Sequence, residues 1–198
     1  MGGVTPKTLS KRLFRFILLG LWASGGLILQ NARPAQAQSP QLSEFCQFPP
    51  RAIAAKANLL QTSLEGNATA TQQYQALLNS HARVLRQCRS RSWLKEQAIW
   101  LRLYPCDVTP GVLDSVLDRI VNRGYNTVYL EVFANGQVLL PSTDNPTPWP
   151  SMVRSPGTEN TDLLAQAIQK ARQRGLKAYA WLFSLNFGYV YSLRPDRQ

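Results

Sequence analysis

One histidine, three cysteines and eleven acidic side chains bound the chemistry open to this chain of 198 residues. His81 stands alone, so no pair of imidazoles can start a zinc site, and Cys46, Cys88 and Cys106 show no CxxC spacing. A Ser–His–Asp arrangement would have to use His81, which lies inside a helical pattern. No glycine-rich phosphate loop is present. Neither metal nor cofactor is expected, and carboxylates remain as the carriers of any reaction. Glu131 lies in the run "NTVYLEVFA" (126–134), on the side of Tyr129 and Phe133 and opposite Leu130 and Val132. Asp107 follows the run "AIWLRLYP" (98–105). A carboxyl set among apolar neighbours can serve as acid or base with a tuned pKa. Each has a plainer reading: a structural pair with Arg102 for Glu131, and ordering of the following loop for Asp107.

The elements that must position these groups follow from periodicity. From Gln97 the pattern is β-α-β-α-β. The runs 98–105, 126–134 and 176–184 are strand-like and nearly continuously apolar, which suggests a sheet covered on both faces. Thr109 and Pro110 supply an N-cap and a first-turn proline for one helix, with Leu113, Val116, Leu117, Ile120 and Val121 inward and Gly124 as its stop. Asn160 or Thr161 caps the next, with Leu164, Ala167, Ile168 and Ala171 inward. Right-handed crossovers make the three strands parallel and adjacent. A long loop with five prolines joins the second strand to the second of these helices.

Residues 38–95 read as an αα-hairpin. Ile53, Ala57, Leu60 and Leu64 form one stripe, Gly66 ends that helix, and Thr69 with Gln72 opens the next as a capping box. Tyr74, Leu77, Leu78, His81, Leu85 and Cys88 line the second stripe, which makes His81 a packing residue. A Cys46–Cys88 disulfide would staple the open end of the hairpin, with Cys88–Cys106 as the competing pairing. Arg83, Arg86, Arg89, Arg91 and Lys95 read as a solvated basic face, or alternatively as an attraction to anionic wall polymer or membrane.

Residues 1–37 read as a signal peptide. Lys7, Lys11, Arg12 and Arg15 precede a mostly apolar run of 14 residues, Phe16 to Leu29, and Ala35-Gln36-Ala37 fits signal peptidase. The run is short for a bilayer span, so no stable membrane span is expected after its removal. Export places the product in the periplasm, cell wall or medium. The formal charge is +11, but residues 1–37 hold five basic side chains and no acidic ones. Residues 96–198 are nearly neutral, with ten basic and nine acidic side chains, so nucleic acid is not an expected partner. Three strands and two crossovers are too few for a (β/α)₈ barrel of about 250 residues. The expectation is therefore the front portion, residues 96–198, of a longer TIM-type barrel preceded by the hairpin.

The segments "QAIWLRLYPCD", "GYNTVYLEVFANGQVLLPS", "NPTPWPS" and "DLLAQAIQKARQRGLKAYAWLFSLNFGY" together resemble the opening of the glycosyl hydrolase-like family 10 domain, in its exported cyanobacterial type. The resemblance rests on Ala98-Ile99-Trp100-Leu101, Tyr125-Asn126-Thr127-Val128, Pro141-Ser142, Trp149, and Gly175-Leu176 through Ala180-Trp181, and covers roughly residues 96–190. Glu131 and Phe133 stand where the family carries Gln and Arg, and Tyr179 where it carries His.

The resemblance implies hydrolysis of a polysaccharide, cell-wall glycan being a reasonable substrate, by two carboxylates flanking the bond. In many barrel glycosidases that pair sits on later strands, which here would lie beyond Gln198. It also turns the Glu131 side of its strand toward the barrel interior. Asn135 and Trp149 in the long loop, Trp181 at the third strand end and Asn186 after it then become expected sugar contacts, with Tyr189 and Tyr191 as an extension. The plainer readings are loop anchoring for Trp149, core packing for Trp181 and loop hydrogen bonding for Asn186. The alternative function is a non-catalytic wall-associated module that binds glycan or a partner.

Overall fold

A computed structural model describes residues 40–183 together with Gly2 and Pro195. The signal-peptide expectation for residues 1–37, and Asn186, Tyr189 and Tyr191, lie outside the described residues. The chain divides into two compact units, Met1–Gln38 and Ser39–Gln198, and every element below belongs to the second.

The described residues form a mixed α/β structure with a parallel-rich sheet and four α-helices. Helices α1 (Pro50–Leu64) and α2 (Ala68–Arg91) make the hairpin. Strand β1 (Ala98–Leu101), helix α3 (Val112–Asn122) and strand β2 (Thr127–Ala134) follow. Strands β3 (Gln137–Pro141) and β4 (Ser151–Val153) precede helix α4 (Leu163–Gln173) and strand β5 (Lys177–Leu182). β2 pairs in parallel with both β1 and β5, the order expected from two right-handed crossovers.

The loop expected after β2 contains two strands. Asn135 (φ 52°) and Gly136 (φ 70°) turn the chain back, and β3 runs antiparallel to the end of β2, with Phe133 opposite Val138. Two successive left-handed residues form the tight turn that matches strand twist, and Asn-Gly is the dipeptide that tolerates it. β3 then pairs in parallel with β4.

Among the described residues only one face of the β1–β2–β5 sheet is packed by helices, which differs from the expectation of two covered faces. Val128 and Leu130 are fully buried with Leu113, Leu117, Leu163 and Ala167 of α3 and α4, while Trp100, on the alternate side of its strand, is 70% exposed. Leu85, Cys46 and Phe48 of the hairpin region join the same core, so the hairpin and the sheet share one interior.

Three helix starts differ from expectation. Asn67, not Thr69, caps α2, its side chain accepting from Ala70 N at 2.9 Å. Asp162, not Asn160 or Thr161, caps α4, its side chain accepting from Ala165 N at 2.7 Å. A 3-10 turn over Pro105–Val108 delays α3, which starts after Gly111 rather than at Pro110. All five of these side chains, Asn67, Thr69, Asn160, Thr161 and Asp162, are of types that accept from a first turn, so the backbone path decides among neighbours.

Charged side chains fill the seam where the four helices meet. On α1 the buried stripe runs through Lys56 and Leu60, while Leu64 is exposed. Arg174 donates to Asp118 Oδ1 at 2.8 Å, Asp114 Oδ1 at 2.9 Å and Tyr74 Oη at 2.6 Å, and Tyr74 Oη donates to Asp118 Oδ2 at 2.8 Å. Lys56 Nζ lies 3.4 Å from Asp118. His81 is buried and stacks on Phe48 with centroids 4.3 Å apart. Buried charge is tolerable where each group finds partners, and this network ties α1 and α2 to α3 and α4.

Arg89 corrects the reading of the basic stretch as wholly solvated. It is buried and donates to the carbonyls of Phe45, Leu94 and Gly124 and to Gln97 Oε1. Beside it Cys46 and Cys88 are joined in a disulfide, and Cys106 is a free, exposed thiol. The open end of the hairpin is thus closed covalently and by a multiply bonded guanidinium.

Candidate functional site

In a parallel sheet with aligned register, alternate residues of neighbouring strands share a face. Here Trp100, Tyr129 and Tyr179 stand in one row, and Arg102, Glu131 and Trp181 in the next, nearer the C-terminal strand ends. Tyr129 stacks on Tyr179 with centroids 5.5 Å apart, and Trp100 stacks on Trp181 at 5.7 Å. Trp100 and Tyr179 remain exposed. The face away from the helices is therefore an aromatic platform with exposed apolar area.

Set into this platform is one ion pair. Arg102 grips Glu131 with two nitrogens, Nε on Oε2 and Nη2 on Oε1, the latter at 2.9 Å. The Glu131 side chain is fully buried, whereas that of Arg102 is 45% exposed. The hydrogen bonds to Glu131 hold the guanidinium above its ordinary range. Both carboxylate oxygens are thus engaged, and the pair offers ligand the outward edge of Arg102 rather than an unencumbered carboxyl. The structural pair expected as the plainer reading of Glu131 is formed.

Asp107 does not join it. Its Oδ2 accepts from Tyr104 N at 2.7 Å, and its own N donates to Tyr104 O at 2.9 Å. That reciprocal bonding orders the loop after β1, the role a carboxylate at this position can fill without touching ligand.

A cavity of about 360 Å³ lies at the C-terminal ends of β1 and β2, the end where open α/β sheets and barrels bind ligands. Arg102 and Tyr104 line it from β1 and its loop, Asn135 and Gln137 from the hairpin, and Arg154 and Ser155 from the segment after β4. Asn135 thus has two roles: it makes the turn and faces the cavity. Trp149 packs edge-on against Phe133, with centroids 5.4 Å apart, and its carbonyl accepts from Asn145 Nδ2 at 2.6 Å. These two contacts tie Trp149 to the end of β2 and to its own loop. Trp181 lies on the aromatic platform between Trp100 and Phe183. Asn186 lies outside the described residues.

Trp100, Tyr179 and Arg154 belong to the site although they were not singled out as contacts. Alternation along 98–102 already aligned Trp100 with Arg102; nothing local marked Arg154. Among the described residues no group of His, Cys, Asp and Glu is arranged to hold a metal ion, and no helix is long and apolar enough to cross a membrane. Comparison with protein-family models, with characterised proteins and with solved structures gives no match.

Proposed function

We propose that residues 96–198 are the first units of a (β/α)₈ barrel of the glycosyl hydrolase-like family 10 kind, and that its aromatic face binds polysaccharide. The observation that carries this reading is the stack of exposed Trp100 on half-buried Trp181 beside the Arg102–Glu131 pair, at the strand ends that open into the polar cavity. Sugars present flat apolar C–H faces rimmed by hydroxyls. The exposed indole of Trp100 takes the first, and the Arg102 edge with the amides of Asn135 and Gln137 takes the second. The outer edges of β1 and β5 have no strand partner among the described residues, which is where a barrel would add its remaining strands. On this reading the protein is exported and acts on a glycan such as that of the cell wall. The Cys46–Cys88 disulfide supports an oxidising compartment.

Hydrolysis needs two carboxylates across the bond. With Glu131 engaged by Arg102 and Asp107 by its own loop, this half of the site favours binding, and the reacting pair is proposed on strands that follow Gln198. The second reading, a glycan-binding module without catalysis, rests on the same engagement of both acids.

The test is co-sedimentation of the chain with insoluble cell-wall glycan, with Trp100→Ala beside the unaltered protein. Binding weakened at least tenfold by the substitution supports the platform; equal retention of both proteins removes it. Hydrolysis by a chain carrying further barrel strands, slowed by Glu131→Gln, separates the enzyme from the module.

A further inference from the structure

At the opposite ends of the strands lies a second cavity, of about 300 Å³, lined by Arg86, Arg89, Lys95 and Lys177 with no acidic residue among its walls. Arg86 and Lys95 come from α2 and the segment after it, and Lys177 opens β5. The walls are built. Asn126 Nδ2 donates to Lys95 O at 2.9 Å, and its Oδ1 accepts from Gln97 N at 2.8 Å, which fixes the Lys95 backbone to the start of β2. Arg86 lies over Gly175, where a Cβ would come within 3.1 Å of its Nη1.

None of this charge is neutralised by a carboxylate in the cavity. Arg89 is buried, yet its partners are three carbonyls and an amide oxygen. Lys95 Nζ donates to Ser90 O at 2.8 Å. Glu96, the acid next to Lys95, accepts from Thr127 Oγ1 at 2.7 Å and does not line the cavity. Three exposed cations converge above a fourth that is desolvated. Such a concave, one-signed site concentrates anions, and a doubly charged oxyanion gains more from it than a carboxylate does.

We propose that this cavity binds a phosphate group, either free or borne on an anionic lipid. It sits at the N-terminal ends of β2 and β5, so it does not compete with the aromatic platform and does not depend on the glycan reading.

The experiment titrates inorganic phosphate into the full chain at low ionic strength, and separately measures binding to vesicles of phosphatidylcholine with and without 30% phosphatidylglycerol. Two triple variants of equal charge change are compared: Arg86→Gln/Lys95→Gln/Lys177→Gln in the cavity, and Arg51→Gln/Arg83→Gln/Arg91→Gln on exposed helix positions outside it. The cavity variant is expected to lose at least tenfold in affinity while the outside variant changes less than twofold. Phosphate binding with no vesicle preference identifies free phosphate as the source. A preference for phosphatidylglycerol, lost only in the cavity variant, identifies the lipid headgroup. Absence of binding in both arms, or equal losses in the two variants, overturns the site.

Discussion

Arg174, just past the end of α4, donates to Asp118 of α3 at 2.8 Å, and both side chains are almost wholly withdrawn from water. The same guanidinium reaches Asp114 and the Tyr74 hydroxyl, so one residue joins α4 to α3 and to the hairpin. Arg174→Met would leave Asp118 with only Lys56 as a nearby cation and strand Asp114 on Lys170. Removing one member of a buried charge network costs about 3–5 kcal/mol. Urea unfolding should show that loss, with detachment of the hairpin as its first phase; a change below about 1 kcal/mol would mean the network adds nothing net.

Lys56 should behave oppositely. Its Nζ is buried without a hydrogen-bond partner, and burial lowers its pKa to about 8. Asp118 keeps Arg174 and Tyr74 when Lys56 is lost. Lys56→Met keeps an apolar stem of similar length and deletes a poorly hydrated charge, giving up the Nζ contact over the Phe48 ring, 5.6 Å from its centroid. The expected outcome at pH 7 is a gain of about 1–3 kcal/mol, from the ~1.4 kcal/mol carried by each pKa unit, read in the same urea experiment. A loss would show that Asp118 needs both cations.

His81 sets an acid limit. Burial first, and the charge of Lys56 second, lower its pKa from 6.5 to about 4. Above pH 6.5 the imidazole is neutral in folded and unfolded chains alike, and stability is complete. As pH falls from 6.5 to 4 the unfolded chain binds the proton first, so stability declines, by up to about 3 kcal/mol. His81→Phe keeps the stack on Phe48 and removes the proton site. The difference between the two proteins should vary across that window and be flat above it. A flat difference throughout would place His81 in water.

Much of the frame is legible locally, and the rest depends on distant approach. Strands β1, β2 and β5 and the buried faces of α3 and α4 follow from apolar runs and 3.6-residue spacing, which neighbouring residues alone set. The β2–β3 turn carries a local signal, since Asn135-Gly136 between apolar runs favours a hairpin, but the five prolines from Pro141 to Pro156 are equally a mark of loop. Lys56, Arg89, Asp118 and Arg174 were not. A charge on an amphipathic helix looks the same whether it meets water or a partner from an element up to 100 residues away, as Tyr74 and Arg174 do. The site shows the same division. The face shared by Trp100, Glu131 and Trp181 follows from strand parity, and the Arg102–Glu131 pair from the adjacency of β1 and β2, whereas the approach of Arg154 to the cavity depends on the path through β3 and β4.

The disulfide closes a segment spanning 42 residues of sequence separation. Loop closure of that length is worth about 4 kcal/mol in the unfolded chain. The Cys46→Ala/Cys88→Ala variant should unfold at correspondingly lower denaturant. In the unaltered protein one thiol, Cys106, should react without reductant. Reaction of Cys46 in its place would establish the competing Cys88–Cys106 pairing and overturn this one.

Arg102 and Glu131 should be unequal when altered singly. The carboxylate is fully buried, and the guanidinium is nearly half exposed. Arg102→Gln leaves Glu131 as a buried charge short of its main partner, the expensive direction of breaking a pair. Glu131→Gln leaves an arginine that can turn its free edge to water, while the amide still offers one oxygen to it. The expected loss is about 2–3 kcal/mol for Arg102→Gln and under about 1 kcal/mol for Glu131→Gln, allowing for solvent screening of Arg102. Because Glu131→Gln barely perturbs the fold on this argument, any drop in glycan retention it causes reports on binding rather than unfolding. Equal losses for the two variants would show that the pair is symmetric in burial, and the exposed arginine edge would no longer explain how a ligand is met.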